Sequence, residues 1–392
     1  MDPTRPGLPA REPLLRALID ICGPDFARKA QPFDVVAGRR ASFVATPATA
    51  RAVAEVMALA AERGLAVVPR GSGSKIDWGG PPPGVDLLMD TRRLDGIWHH
   101  DAEAGTAEIG VGTPIRAVRA ALALRGLRVP VDPPSPTATL GGMLALNESG
   151  PLRHRYGTPA AQIVKVDYVS ADGERAESDG EEGRPGIAEI DGVLLSATVR
   201  LEPLPPARRW VTIPVSLPRE VPALIGEIEA QGVRASAVEL DLPTPASPPA
   251  HPAGALAVLV EGDPAGATRR AEKLAKALSG SASVSATSPP WWGRYPFDEG
   301  DVGLRLTAPI EALQAAVYAL SDATGIPVPV RGAAGRGAMH AVLPGTMMPH
   351  RVERILDALR GVLLARDGRC VAVTAPPAIS ARIDMAKRQD LF

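Results

Sequence analysis

The sequence predicts an α+β protein: a two-part N-terminal domain followed by an antiparallel-sheet domain of duplicated ferredoxin-like βαββαβ units. Three observations predict it. The chain has 392 residues, too many for one ordinary core. Its 41 Pro and 39 Gly are spread through alternating apolar segments, as in a loop-rich α/β protein rather than a bundle. The second half also repeats one order of strands and helices. An N-terminal extension and helix are expected over 1–29, one domain over 30–205 and a second, cap-like α+β domain over 206–392.

In the first half a short helix is expected around Glu12–Ile21. Thr46 is a candidate N-cap for a helix over Thr46–Arg63, with Pro47 at its first position and Val53, Met57 and Ala60 along one face. Strands are expected at Leu65–Pro69, Asp86–Asp90, Gly96–His100, Thr106–Val111, Ile163–Ser170 and Val193–Leu201, with a helix at Pro114–Arg125. The pair Asp172-Gly173 closes one of these strands as a turn, and Pro203–Pro206 marks the boundary. The second half then reads strand Arg209–Val215, helix Arg219–Gln231, strands Arg234–Asp241 and Ala255–Glu261, helix Pro264–Leu278 and strand Ser281–Ala286. The same order recurs as Val302–Thr307, Pro309–Thr324, Ile326–Val330, Ala338–Leu343, Pro349–Leu364 and Arg369–Thr374. Loops at Pro243–Pro252 and Ser288–Asp298 interrupt it.

Composition narrows the function. A formal net charge of −1 gives no global field for nucleic acid or an anionic membrane, and aromatic residues at 4% argue against a base-stacking surface. No apolar run is long enough to span a bilayer, and Met1–Arg11 lacks the apolar stretch of a secretory signal. Cys22 and Cys370 stand far apart, so neither a disulfide framework nor a cysteine metal site is expected. Together these predict a cytoplasmic address.

Three segments carry candidate chemistry. The first is Arg70-Gly71-Ser72-Gly73-Ser74-Lys75, directly after a strand. Consecutive small residues let backbone N–H groups converge on a phosphate, with the serine hydroxyls, Arg70 and Lys75 as further donors. Its spacing is neither Walker A nor the Rossmann fingerprint. The second runs from Pro134-Ser135 through Thr139-Leu140-Gly141-Gly142, where two glycines permit close approach of a ligand. The third is Ser149-Gly150-Pro151, followed by Arg155-Tyr156-Gly157 and Thr158, with Arg153 and Arg155 more often solvated surface charges. Each segment alone also fits a surface turn.

Taken in this order, with Gly192-Val193 near the end of the half, these segments resemble the FAD-binding domain of the p-cresol-methylhydroxylase-type (PCMH-type, vanillyl-alcohol-oxidase-like) superfamily. The pieces Arg-Gly-Ser-Gly-Ser-Lys at 70–75, Ala-Thr-Leu-Gly-Gly at 138–142 and Ser-Gly-Pro-Leu-Arg at 149–153 resemble the FAD-binding subunits of glycolate oxidases in particular. The resemblance implies that the two glycine segments grip the FAD pyrophosphate and that Asn147–Gly150 and Tyr156 run along the flavin. It further implies that Gly192 and Val193 contact the nucleotide end. It also implies a 2-hydroxy acid substrate, and a complex with a second flavoprotein subunit and an iron–sulfur subunit.

The sequence departs from that pattern in three places. Covalent members carry His where Ser74 stands, or Cys near the second segment, so a noncovalent FAD is expected. The stretch between Gly173 and Gly192 is short and acidic, with Glu174, Glu177, Asp179, Glu181 and Glu182, where related subunits carry a longer flavin-lining segment. The chain also stops at Asp390-Leu391-Phe392, short of the relatives' tail.

Hydroxy-acid oxidation needs a base, and His251, His340 and His350 are the candidates in the second half. His340 stands among apolar strand residues, where a histidine is more often a packed sheet residue. His99 and His100 are strand neighbours that point to opposite faces and cannot chelate together. Trp291-Trp292 either caps a pocket, docks a partner or anchors a loop. No catalytic residue is assigned. An accessory FAD subunit acting in electron transfer is the leading expectation. A stand-alone FAD-dependent oxidoreductase of a small alcohol or hydroxy acid, and a flavin-free structural subunit, are the alternatives.

Overall fold

A computed structural model describes residues 11–179, 187, 190–243, 254–278 and 281–385. The extension before Arg11, Glu181, Glu182, most of the Pro243–Pro252 loop with His251, and the end of the chain lie outside the described residues.

Helix α1 (Arg11–Cys22) buries Leu14 and Leu18 against a small sheet. That sheet runs in the order β1 (Ala27–Lys29), β2 (Phe43–Ala45), β4 (Leu87–Asp90), β3 (Val67–Arg70). Strands β2, β4 and β3 are parallel, and β1 is an antiparallel edge. The crossover between β2 and β3 is α2 (Ala50–Glu62), whose buried Val53, Val56, Met57 and Ala60 recur at helical spacing. Its N-cap is Thr49 rather than Thr46. The Thr49 hydroxyl accepts from Ala52 N at 3.1 Å, whereas Thr46 N–H is committed to Phe26 O at 2.7 Å, beside the β1–β2 pairing.

A second, antiparallel sheet covers the other side of this half. Its order is β8 (Arg175–Asp179), β7 (Ile163–Ser170), β9 (Gly192–Arg200), β6 (Thr106–Gly110), β5 (Ile97–Asp101). Helices α3 (Ile115–Ala123) and α4 (Leu140–Ala145) pack on it through Val118, Leu122, Leu140 and Met143, and the one-turn α5 (Arg153–Tyr156) follows. Strand β8 falls in the short acidic stretch after Gly173, where no strand is expected from the sequence. The turn at Asp172-Gly173 reverses the chain so that β8 pairs antiparallel with β7.

The second half forms one eight-stranded antiparallel sheet. Its strands are β10 (Ala207–Val215), β11 (Ala237–Leu242), β12 (Gly254–Gly262), β13 (Ser283–Ser285), β14 (Val302–Thr307), β15 (Val330–Ala333), β16 (Ala338–Leu343) and β17 (Arg369–Thr374). The order across the sheet is β13-β10-β12-β11-β15-β16-β14-β17. Each set of four strands therefore has the same internal order, and the two sets join where β11 pairs with β15. This is the duplicated βαββαβ arrangement that the sequence predicts. Helices α6 (Val221–Ala230), α7 (Pro264–Ala277), α8 (Leu313–Thr324) and α9 (Pro349–Leu364) bury Ile225, Leu274, Leu320 and Leu359 in its main core. Strand β15 starts four residues later than Ile326. Gly325 caps α8 in the left-handed region with φ 73°, and Thr324 Oγ1 accepts from Ile326 N at 3.3 Å, so the chain is still turning there.

The halves are tied by ion pairing as well as packing. Arg128 makes a bidentate pair with Glu261 on β12 at 2.8 and 2.9 Å, and Arg336 Nε donates to His154 O at 2.7 Å.

Candidate functional site

The end of β3 leads straight into the first glycine segment, and Gly71 comes so close to Thr139 that a Cβ there would lie 2.2 Å from its Oγ1. Only glycine permits this approach. The second segment caps and begins α4. Thr139 is its N-cap, and Gly141 lies against Val111, where a Cβ would meet Val111 Cβ at 2.8 Å. Between the two segments lies a cleft of 290 Å³, lined by Arg70, Gly71, Thr91, Gly141, Gly142 and Gly192 among others. A second opening, of 580 Å³, lies on the far side of the first segment, along Gly73, Ser74, Lys75, Trp78 and Tyr295.

The two segments differ in what they offer. Among the described residues, the N–H groups of Gly71, Ser72, Gly73, Ser74 and Lys75 meet no acceptor, and Ser72 and Ser74 are exposed. Gly73 has φ 77°, the left-handed conformation that helps successive N–H groups point the same way. In the second segment the amides are already taken: Leu140 N donates to Thr113 O at 2.9 Å, Gly141 N to Val111 O at 2.8 Å, and Gly142 N to Thr139 Oγ1 at 3.3 Å. It is a close wall rather than a row of donors.

The charges of the first segment are met inside the protein. Arg70 pairs with Asp34 at 3.0 Å and Asp90 at 3.3 Å. Asp34 is fully buried; burial alone would raise its carboxyl, but hydrogen bonds from Arg28, Gln31 N and Arg70 hold it down at about 2. Lys75 pairs with buried Glu148 at 2.5 Å, hydrogen-bonds to Ser135 Oγ, and lies 4.7 Å from the Trp78 ring and 5.4 Å from the Tyr295 ring. Burial pulls the Lys75 ammonium below its usual range, against the pull of Glu148.

Glu148 is the hub of this cluster, and the sequence did not single it out. It accepts from Ser135 N at 3.1 Å and Tyr295 hydroxyl at 2.9 Å as well as from Lys75. A lone carboxylate inside the small-residue run Asn147–Gly150 was the available signal. Tyr295 reaches it from the second half, its own ionisation pushed up by burial and by Glu148. His340 meets the Tyr295 ring edge-on at 4.9 Å. Burial, with Arg305, Arg153 and Lys75 nearby, lowers His340 to about 3, which keeps it neutral at ordinary pH. A cavity of 30 Å³, room for water only, lies beside Pro134, Gly150, Tyr295 and His340.

The remaining predicted residues scatter around this frame. Gly150 packs on the backbone, where a Cβ would fall 1.8 Å from Asp132 O. Asn147 has φ 48° and accepts from Ala160 N at 3.0 Å. Gly192 lines the cleft, while Val193 and Leu140 turn their side chains into the core. Tyr156 lies apart from the cleft, its hydroxyl accepting from Arg128 at 2.8 Å. His350 is exposed. Among the described residues no group of three or more His, Cys, Asp or Glu is placed to hold a metal.

A glycine wall facing Gly71, with the free amides of the following residues running on from it, fits a dinucleotide pyrophosphate. Residues 41–179 match a family described as an FAD binding domain. The chain carries an FAD-binding domain. It is 29% identical over 130 residues to a D-lactate dehydrogenase of Archaeoglobus fulgidus, a match covering 33% of this chain and 29% of that protein. It is 25% identical over 179 residues to the glycolate oxidase subunit GlcD of Bacillus subtilis, covering 42% and 38%. The matched region thus spans less than two-fifths of the length of these relatives. Among solved structures, alkyldihydroxyacetonephosphate synthase superposes with a TM-score of 0.70 at 16% identity, over 94% of this chain and 81% of that one. p-Cresol methylhydroxylase superposes with a TM-score of 0.70 at 12% identity, over 91% and 88%. These two likenesses show that the PCMH-type fold extends through both halves. No described helix is long and apolar enough to cross a membrane.

Proposed function

We propose that the chain is a noncovalent FAD flavoprotein that carries electrons within a glycolate-oxidase-like 2-hydroxy-acid dehydrogenase complex, beside a second flavoprotein and an iron–sulfur subunit in the cytoplasm. The observation that supports it most is the run of unpaired N–H groups over Gly71–Lys75, which starts at Gly71 in the cleft wall opposite Gly141, Gly142 and Gly192 and continues along the 580 Å³ opening. Residues 30–205 form the flavin-holding unit in this reading, and 206–392 the cap. Gly71 through Lys75 hold the pyrophosphate, Gly141, Gly142 and Gly192 set how closely it can approach, and Ser135 with Asn147–Gly150 flank the ring system. Bound FAD supplies reversible hydride and single-electron chemistry.

The chain's own residues favour electron transfer over primary oxidation. A substrate base needs a free lone pair of suitable basicity near the reacting group. Glu148 is engaged by Lys75, Ser135 and Tyr295, and His340 is depressed to about 3 beside a cavity of only 30 Å³. Glu148 and Lys75 neutralise each other, and the Tyr295 hydroxyl donating to Glu148 ties the first segment to the cap.

The test has two arms. The FAD-loaded chain, mixed anaerobically with glycolate or D-lactate, is expected to stay oxidised. A tagged chain purified from its own cells is expected to bring down a flavoprotein and an iron–sulfur polypeptide in equal amounts. Rapid bleaching by either acid in the isolated chain would replace this reading with that of a stand-alone oxidoreductase.

A further inference from the structure

A cavity of 230 Å³ lies where the first half meets β10 and β12, and it shares no lining residue with the 290 Å³ cleft. Leu127, Val131, Leu152, Leu259 and Trp292 make its wall apolar. Two donors in that wall nevertheless lack an acceptor among the described residues: Trp210 Nε1 and Arg128 Nε. Both side chains are deeply buried, at 8% and 5% exposure. Buried donors are almost always satisfied in folded proteins, so two orphans in one cavity point to an acceptor brought by a ligand. Trp292 meets Trp210 edge-on at 6.1 Å, giving the cavity a firm aromatic side.

The charge around it has a sign. Arg128 and Arg208 both hold Glu261, and Arg119 donates to Val131 O at 2.8 Å. Arg119 and Arg208 are exposed at the rim, whereas Arg128 is inside. Against these three guanidinium groups stand Glu261, Asp132 and, beside Arg128, Glu202; burial raises the Asp132 carboxyl to about 7, which weakens its charge near neutrality. In the lining itself Arg119, Arg128 and Arg208 face one carboxylate, Asp132.

We propose that this cavity binds a small organic monoanion, a carboxylate on an apolar body, with Trp210 Nε1 and Arg128 donating to the carboxylate and the apolar body against Leu127, Leu259 and Trp292. Its volume lies below the roughly 300–1,000 Å³ of sites for larger ligands, so the ligand is small. Arg119 and Arg208 draw the anion to the rim. The site is independent of the FAD reading.

The test is isothermal titration of the full chain with benzoate and, as an uncharged analogue with the same ring, benzyl alcohol. Saturable one-to-one binding of benzoate is expected, with benzyl alcohol at least about tenfold weaker. Trp210→Phe keeps an aromatic side chain, removes the donor, and is expected to weaken benzoate by about tenfold. Ala123→Phe, an exposed position on α3 at the cavity mouth, is expected to abolish binding without changing FAD content. It decides the matter if Trp210→Phe proves unstable. No saturable binding of benzoate, equal affinity for benzyl alcohol, or unchanged affinity in Ala123→Phe would overturn the proposal. So would displacement of benzoate by FAD, which would assign the binding to the flavin cleft.

Discussion

The segments Arg70–Lys75 and Thr139–Gly142 look alike as sequence, both short, glycine-bearing and flanked by Ser or Thr, yet they do opposite work in the structure. The first leaves its backbone donors free and has its side-chain charges neutralised from below by Asp34, Asp90 and Glu148. The second has its backbone donors taken by Thr113, Val111 and its own cap. What distinguishes a ligand-facing glycine loop from a packing one is therefore where the acceptors lie in three dimensions.

The comparison can be broken first at Lys75. Lys75→Met leaves Glu148 buried without its cation and is expected to cost about 3–5 kcal/mol in denaturant melts. Adding Glu148→Gln should recover much of that loss. If Lys75→Met is neutral, the first segment is not anchored through its charge.

Asp34 tests the same anchoring by pH. Its carboxyl sits at about 2 in the folded chain against an unfolded value near 3.9, so the charged form stabilises the fold above about pH 4. That contribution, about 2 kcal/mol, fades as pH falls from about 4 toward 2. Asp34→Asn should be less stable by a similar amount at neutral pH and should lack that acid limb in its stability profile. An unchanged limb would locate it elsewhere.

In the second segment the expected effects are smaller. Thr139→Ala removes the cap of α4 and should cost about 1 kcal/mol. It should also soften the penalty of Gly71→Ala, because the new Cβ meets the Thr139 side chain; a double-mutant cycle reads the coupling. Additive costs would mean the segments do not touch as described. Gly142→Ala should change stability by no more than about 0.5 kcal/mol, since Thr139 Oγ1 at 3.3 Å is the one neighbour its Cβ would find.

Much of the fold was legible in the sequence. The repeat of strand and helix in the second half needs nothing but periodicity, and the observed strand order follows from it. What failed to show were elements decided by the strand they pair with rather than by their own pattern. Strands β1 and β2 are three residues each, and β8 is acidic; all three exist because a neighbouring strand offers a free edge. Thr46 and Thr49 are equivalent as cap candidates until Phe26 O claims the Thr46 amide. At the site, the glycines that line the cleft were legible because close approach demands glycine. Glu148, Asp34 and Tyr295 were not, since an ion pair or hydrogen bond across 147 residues, as between Tyr295 and Glu148, leaves no local pattern.

The most direct test of the account is FAD titration of the apo chain beside Gly142→Ala. The account predicts that the native chain takes up one FAD, releases it on denaturation, and loses at least about tenfold in affinity when a methyl group enters the cleft at an unchanged melting temperature. A native chain that takes up no FAD, or a Gly142→Ala chain that binds it as tightly, would contradict the placement of the cofactor between these two segments.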